Sequence, residues 1–242
     1  MIRSTLYLTN KEYDLERDTR LDLSDVDTLF WDNDGILVDT EYLYYEALKS
    51  VLLEYTYELR LEDFIHHSLG MGKSIFQMLL EKEIIKAEWK ELQAHRDELY
   101  MQRLLQGIAP MRGVKETLEQ LSQHYHMAIV TSSKRKTFDI IHAETGLLSF
   151  FDFVLTSDDI SETKPSPEPY LSAAKMARRS PGQCLVIEDS PRGALAAERA
   201  GMHCVILPTQ MTEKLDFPKS SIRLQRIEEV LDLLSVPNSS NS

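Results

Sequence analysis

The sequence contains few cysteines and no long apolar run. Its 242 residues include two cysteines, Cys184 and Cys204. Both lie in predicted strands, where small buried thiols are common, so we expect neither a disulfide nor a thiolate metal site. No apolar run approaches the roughly 18 residues of a membrane-spanning helix, and Met1–Ser4 does not open a secretory signal. We therefore expect a cytoplasmic protein in a reducing compartment.

Basic residues are also scarce relative to acidic ones. The formal net charge of −12 opposes binding to nucleic acid or to an anionic membrane, because such surfaces are bound largely through clustered Lys and Arg. With 43% hydrophobic residues, a chain of this length can form one sizeable packed domain plus a small insert. We expect a monomer with no nucleic-acid or membrane partner.

The most informative segment that is present is an apolar run ending in two carboxylates, within residues 30–41. Side chains alternate along a strand, so Asp32 and Asp34 leave its end on the same side, and Gly35 allows the chain to turn beside them. Two carboxylates held together need a bound cation or a shared proton. Taken alone, however, the segment could be an ordinary Asp-rich turn.

Three later segments also end in residues suited to binding phosphate or metal. Residues 127–130 run into Thr131 and Ser132, Asp158 and Asp159 lead to Lys164, and residues 184–187 run into Glu188 and Asp189. In an open parallel α/β sheet, ligands bind outside the carboxyl ends of the strands. We therefore expect the four segments to meet at one site.

The pattern of apolar residues divides the chain into a core and an insert. Spacings of three and four residues predict helices over 42–57, 62–68, 74–85 and 87–105. Helix and strand then alternate from residue 113 to residue 207. The predicted domains are an extension over 1–23, an α/β core over 24–41 and 111–236, a helical insert over 42–110 and a disordered tail over 237–242.

The four segments, in this order, resemble the haloacid dehalogenase superfamily, and specifically its members with a helical cap, such as β-phosphoglucomutases and small-metabolite phosphatases. The resemblance covers roughly residues 27–207. It implies a Rossmann-like parallel sheet with helices on both faces, and identifies the insert as the cap. It further implies a Mg²⁺-dependent phosphatase that acts on a small phosphorylated metabolite.

The resemblance also implies catalytic roles. Asp32 matches the nucleophile that becomes an aspartyl phosphate, and Asp34 matches the general acid and base. Lys164 matches the cation that offsets charge between nucleophile and phosphoryl group. Thr131 resembles the hydroxyl donor to the phosphoryl oxygens, with the backbone N–H of Ser132 beside it.

For the metal, the resemblance implies a set of oxygen ligands. An Asp32 carboxylate oxygen, the Asp34 carbonyl oxygen and Asp189 would hold Mg²⁺, a hard ion that prefers oxygen. Glu188 is either a further ligand through water or a group that orients the others. Lys73, in a loop that resembles the one facing the active site in relatives, is either a contact to substrate or an exposed lysine at a helix start.

Several other functions share parts of this pattern. A response-regulator receiver also uses a phosphorylatable Asp, but its paired acids precede that residue and it lacks a large helical insert. A dehalogenase needs no metal and typically lacks the second acid, so Asp34 and Asp189 together favour phosphorus chemistry. A protein that only binds partners is disfavoured, because every expected chemical group is present.

A phosphoryl-transfer isomerase of the β-phosphoglucomutase type is the main alternative. Thr40 matches the hinge threonine of that enzyme. The mutase pattern places a histidine four residues later, whereas this sequence has Tyr44. A tyrosine, with an ordinary pKa near 10, couples protons poorly at neutral pH. The sequence therefore favours hydrolysis, with a sugar phosphate preferred over a nucleotide.

Overall fold

A six-stranded parallel sheet forms the centre of the protein in this computed structural model, which describes residues 22–236. Its order is β3-β2-β1-β4-β5-β6, and every neighbouring pair is parallel. The predicted α/β fold is confirmed. The strands are β1 (Thr28–Trp31), β2 (His126–Val130), β3 (Phe153–Leu155), β4 (Cys184–Glu188), β5 (His203–Ile206) and β6 (Ile222–Arg223).

Helices cover both faces of the sheet, because both faces are apolar. Leu29 and Trp31 of β1 pack on one face with helices α5, α6 and α9, whereas Phe30 packs on the opposite face with α7 and α8. This alternation is the period of two expected of a strand buried on both sides. The helices are α5 (Val114–Leu121), α6 (Arg135–His142), α7 (Glu168–Ala177), α8 (Pro191–Arg199) and α9 (Glu229–Leu233).

Four further α-helices and a π-helical segment are inserted between β1 and α5, as expected for a cap. They form a separate apolar core that includes Leu48, Phe64, Phe76 and Leu79. The boundaries of the predicted domains stay a prediction. The inserted helices are α1 (Glu41–Glu54), α2 (Leu61–Phe64), α3 (Ile75–Glu81) and α4 (Trp89–Leu104).

The structure differs from the predicted elements in a few places. The predicted helix over 62–68 is α2 followed by a π-helical segment, Ile65–Gly70. The predicted helix over 74–85 stops at Glu81, since Glu83 adopts a left-handed conformation with φ of 54°. Strand β6, with two residues, and the five-residue helix α9 were not predicted, because such short elements carry no readable period.

Some predictions lie wholly or partly outside what the structure describes. The tail over 237–242 and most of the extension over 1–23 fall outside residues 22–236. Both cysteines are free and buried. Within residues 22–236, no helix is both long enough and apolar enough to cross a membrane. The cytoplasmic location and the monomeric state stay predictions.

Candidate active site

The carboxyl ends of the central strands bring the predicted site residues together. Asp32 follows β1, Thr131 follows β2, and Glu188 and Asp189 lie at the end of β4. The backbone N–H of Asp32 donates to the carbonyl of Ile187 at 2.9 Å, which fixes the end of β1 against β4. Because β1 pairs with both β2 and β4 in parallel, these polar residues meet at one edge of the sheet.

Lys164 joins the acidic groups of the site. Its Nζ donates to Asp32 Oδ1 at 2.7 Å, to Glu188 Oε1 at 2.7 Å and to the carbonyl of Val130 at 2.9 Å. The residue is 4% exposed. Burial alone would lower the pKa of Lys164, but Asp32 and Glu188 hold that pKa above its ordinary value. The side chain is therefore a fixed cation in contact with Asp32.

Glu188 is held by donors on both of its oxygens. Tyr170 donates its hydroxyl to Glu188 Oε1 at 2.6 Å, beside Lys164, and Ser190 Oγ donates to Glu188 Oε2 at 3.0 Å. Gly193 leaves the space that the carboxylate fills, since a Cβ there would lie 1.8 Å from Glu188 Oε1. Of the two roles left open for Glu188, these contacts favour the one that orients its neighbours.

Asp32, Glu188 and Asp189 form a buried acidic cluster, in which one oxygen from each lies within 4.8 Å of the others. Gly35, with φ of +83°, allows Asp189 to approach, since a Cβ at Gly35 would lie 2.2 Å from Asp189 Oδ2. Burial and the charge of Glu188 raise the pKa of Asp32 to about 7. Burial and Asp32 raise the pKa of Asp189 well above its ordinary value. Oxygen donors with this excess of negative charge fit a hard divalent cation such as Mg²⁺.

Asp34 lies apart from this cluster and is held by hydroxyl groups. Thr40 Oγ1 donates to its Oδ1, and Ser133 Oγ donates to its Oδ2 at 3.0 Å. Thr131 Oγ1 is 3.5 Å from the same Oδ2. Asp34 also lines the cavity described next, and its backbone carbonyl stays the predicted ligand of the metal.

A cavity of about 620 Å³ separates these residues from the inserted helices, a volume suited to a small molecule. Asp34 and Ser132 line it from the sheet, and Lys73 lines it from the inserted region. The other predicted site residues lie at the sheet edge beside Asp34, so the structure brings the predicted set together. Their individual roles stay predictions.

Two residues at the cavity, Arg96 and Glu41, were not assigned to the site from the sequence. Arg96 of α4 lines the cavity and donates to the Tyr44 hydroxyl. Glu41 also lines the cavity, and burial together with the Asp34 charge raises the pKa of Glu41 to about 8. The position of Glu41 directly after the first motif was a readable signal. Nothing in the sequence distinguished Arg96 from other charged residues of its helix.

The sequence profile of the haloacid dehalogenase-like hydrolase family matches residues 29–207, which include the whole sheet edge described above. The chain belongs to this family. YhcW of Bacillus subtilis (strain 168) is 33% identical over 207 residues, which are 85% of this chain and 94% of that protein. The fructose-1-phosphate phosphatase YqaB of Escherichia coli (strain K12) is 28% identical, over 73% of this chain and 94% of its own.

Solved structures support the same fold. CbbY from Rhodobacter sphaeroides, in complex with phosphate, superposes with a TM-score of 0.75 at 20% identity, over 87% of this chain and 99% of CbbY. β-Phosphoglucomutase from Clostridium difficile gives a TM-score of 0.69 at 20% identity, over 85% of this chain and 93% of that one. At such identities the likeness concerns the fold alone, so the family's phosphatases and mutases must be separated by the residues of the site.

Proposed function

We propose that this protein is a Mg²⁺-dependent phosphatase that hydrolyses a small phosphorylated metabolite through an aspartyl-phosphate intermediate. The observation that carries the proposal is the arrangement of three groups. Asp32 is in contact with the Lys164 cation, Asp34 lines the cavity, and Asp32 also belongs to the buried acidic cluster. This set supplies a nucleophile, an acid and base, and compensation for phosphate charge.

The first step forms the intermediate. A carboxylate oxygen of Asp32 attacks phosphorus, and the bond from phosphorus to the leaving oxygen breaks. Protonated Asp34 gives its proton to that oxygen, so that an alcohol leaves rather than an alkoxide. Lys164, 2.7 Å from Asp32 Oδ1, offsets the repulsion between the carboxylate and the incoming phosphate. Thr131 and the N–H of Ser132 bind the phosphoryl oxygens.

The second step regenerates the enzyme. Asp34, now a carboxylate, takes a proton from water as the water oxygen attacks phosphorus. The bond between phosphorus and Asp32 breaks, and inorganic phosphate leaves. Asp34 ends the cycle protonated again, so proton and charge balance over the two steps. The inserted helices cover the cavity and restrict access of bulk water during both steps.

Mg²⁺, held by Asp32, Asp189 and the Asp34 carbonyl, would supply positive charge that stabilises the transferring phosphoryl group. Changing Asp189 to alanine should raise the Mg²⁺ concentration for half-maximal activity by at least about 10- to 100-fold. Phosphate release from p-nitrophenyl phosphate, titrated with Mg²⁺, measures this. Asp232→Ala, which removes an exposed carboxylate on α9, is the control. A rate indifferent to a chelator contradicts the metal assignment.

The lining of the cavity supports a sugar phosphate as substrate. Glu41, Gln93 and Arg96 line the cavity and offer hydrogen-bonding groups, and Trp89 offers an aromatic surface. Carboxylate, amide and guanidinium groups around a small cavity suit a leaving group rich in hydroxyls. A screen of phosphorylated metabolites, in the presence and absence of Mg²⁺, tests the class. Preference for nucleotides over sugar phosphates contradicts it.

Tyr44 argues against the mutase alternative. Its hydroxyl accepts from Arg96, and Arg96 in turn donates to Asp97 at 2.6 Å. Burial raises the pKa of Tyr44 above its ordinary value, so the phenol stays protonated at neutral pH. We expect β-glucose 1-phosphate with catalytic glucose 1,6-bisphosphate to yield free phosphate or nothing. Efficient formation of glucose 6-phosphate would move the protein to the isomerases.

A further inference from the structure

Asn33, between the two catalytic aspartates, is a polar residue in an apolar environment. Strand alternation directs it to the face opposite Asp32 and Asp34, the face that Leu29 and Trp31 share with α6. It is 0% exposed. Burying an amide without hydrogen-bond partners costs free energy of folding. Asn33 is therefore expected to have partners among the buried residues.

The partners of Asn33 form one directed chain of hydrogen bonds that ends on Asp34. The Leu147 N–H donates to Thr145 Oγ1 at 3.4 Å, and Thr145 Oγ1 lies 2.9 Å from His142 Nδ1. His142 Nε2 lies 2.6 Å from Asn33 Oδ1, and Asn33 Nδ2 donates to Asp34 Oδ2 at 3.3 Å. An amide oxygen only accepts, so Nε2 carries the proton and Nδ1 accepts from the Thr145 hydroxyl.

The imidazole of His142 is fixed in position. The ring of Phe138 packs against it with centroids 4.4 Å apart, and the residue is 4% exposed. Burial lowers the pKa of His142 to about 4, so the ring is neutral at physiological pH. A neutral imidazole has one donor and one acceptor nitrogen, and this chain uses both.

We propose that Asn33 and His142 are positioning residues that hold the Asp34 carboxylate in place for proton transfer to the leaving group. Ser133 also donates to Asp34 Oδ2, but it lines the cavity, where a bound phosphate competes for its hydroxyl. Asn33 is buried and cannot reach the substrate. It is therefore a donor that Asp34 keeps throughout the reaction. The inference rests on the proposed role of Asp34 as the acid.

The test compares two substrates that differ only in how much the leaving group needs a proton. Phenyl phosphate releases a basic phenolate and depends on the acid, whereas p-nitrophenyl phosphate depends on it far less. The value of kcat/KM reports steps through formation of the phosphoenzyme. For Asn33→Leu we expect the ratio of kcat/KM, phenyl over p-nitrophenyl, to fall by about tenfold, a fraction of the effect of losing the acid itself.

Control variants separate positioning from stability. Asn33→Leu leaves His142 without its acceptor, whereas Asn33→Leu combined with His142→Leu replaces both partners by apolar groups, which restores packing but not the donor to Asp34. Leu118→Ala perturbs the same apolar cluster and removes none of these hydrogen bonds. Should Asn33→Leu fail to fold, the comparison of His142→Leu with His142→Gln replaces it, since the glutamine amide can still donate to Asn33.

We expect the double variant to recover part of the melting temperature that Asn33→Leu loses, since the Thr145 hydroxyl still lacks its acceptor, while its ratio of kcat/KM for the two substrates stays low. Leu118→Ala should lower the melting temperature and leave that ratio unchanged. Recovery of the ratio in the double variant overturns the inference, as does an equal loss on both substrates in Asn33→Leu. Asp34→Asn identifies a failure of the underlying proposal. If the ratio of kcat/KM, phenyl over p-nitrophenyl, is unchanged in Asp34→Asn as well as in Asn33→Leu, Asp34 is not the acid, and both proposals fail together.

Discussion

Changing Asp32 to asparagine is expected to abolish phosphate release, with kcat reduced by at least about 10⁴-fold. The amide nitrogen and oxygen cannot replace the carboxylate as a nucleophile, so no aspartyl phosphate forms. The variant also leaves Lys164 with one acidic partner, Glu188, in place of two. Steady-state phosphate release at saturating Mg²⁺ measures the effect, and substrate binding measured by calorimetry should persist.

Asp27→Asn is the matched control for this experiment. Asp27 precedes β1 at the end opposite the site, and its carboxylate accepts from Arg179 at 2.8 Å. The same chemical change in this position removes a surface ion pair, so we expect a small loss of stability and a normal kcat. Near-normal turnover by Asp32→Asn would remove the covalent mechanism altogether.

Asp34→Asn should lower kcat for a sugar phosphate by roughly 10²–10⁴-fold, the usual effect of losing a general acid or base. The loss should exceed this range if both chemical steps depend on Asp34. With p-nitrophenyl phosphate the first step needs no strong acid, whereas the second still needs a base. We therefore expect the variant to release one equivalent of p-nitrophenolate rapidly and then stall as phosphoenzyme.

Asp39→Asn is the control for Asp34→Asn. Asp39 lies in the same loop and is exposed, so its substitution removes a nearby negative charge without removing the acid. Its kcat should stay close to that of the unaltered protein. If Asp39→Asn and Asp34→Asn lost activity equally, the effect of Asp34 would be one of local charge and not of proton transfer.

Much of the fold could be predicted from the sequence, because the spacing of apolar residues indicates which side chains of a helix or strand are buried. The segments 127–130 and 184–187 are fully apolar, and a strand buried on both faces requires this. The order of strands was not readable, because it depends on which apolar faces meet across the chain. Strand β6 escaped notice since two residues cannot establish an alternation.

Site residues that directly follow a strand could be predicted from the sequence. Contacts between residues far apart in the sequence could not. Asp32, Asp34 and Asp189 could be placed together, because carboxyl ends of parallel strands meet at one edge. The partnership of Asn33 with His142 spans 109 positions of sequence and appears only in the folded chain. The readable signal was an asparagine at a position where alternation calls for an apolar residue.

Trapping the phosphoenzyme tests the central claim most directly. Asp34→Asn is mixed with p-nitrophenyl phosphate and Mg²⁺, quenched during the burst and reduced with borohydride, which converts an aspartyl phosphate to homoserine. Peptide mass spectrometry then locates the modified residue. The mechanism predicts homoserine at position 32, in an amount equal to the burst. A burst with homoserine at any other position, or turnover with no burst and no reduced residue, contradicts Asp32 as the nucleophile.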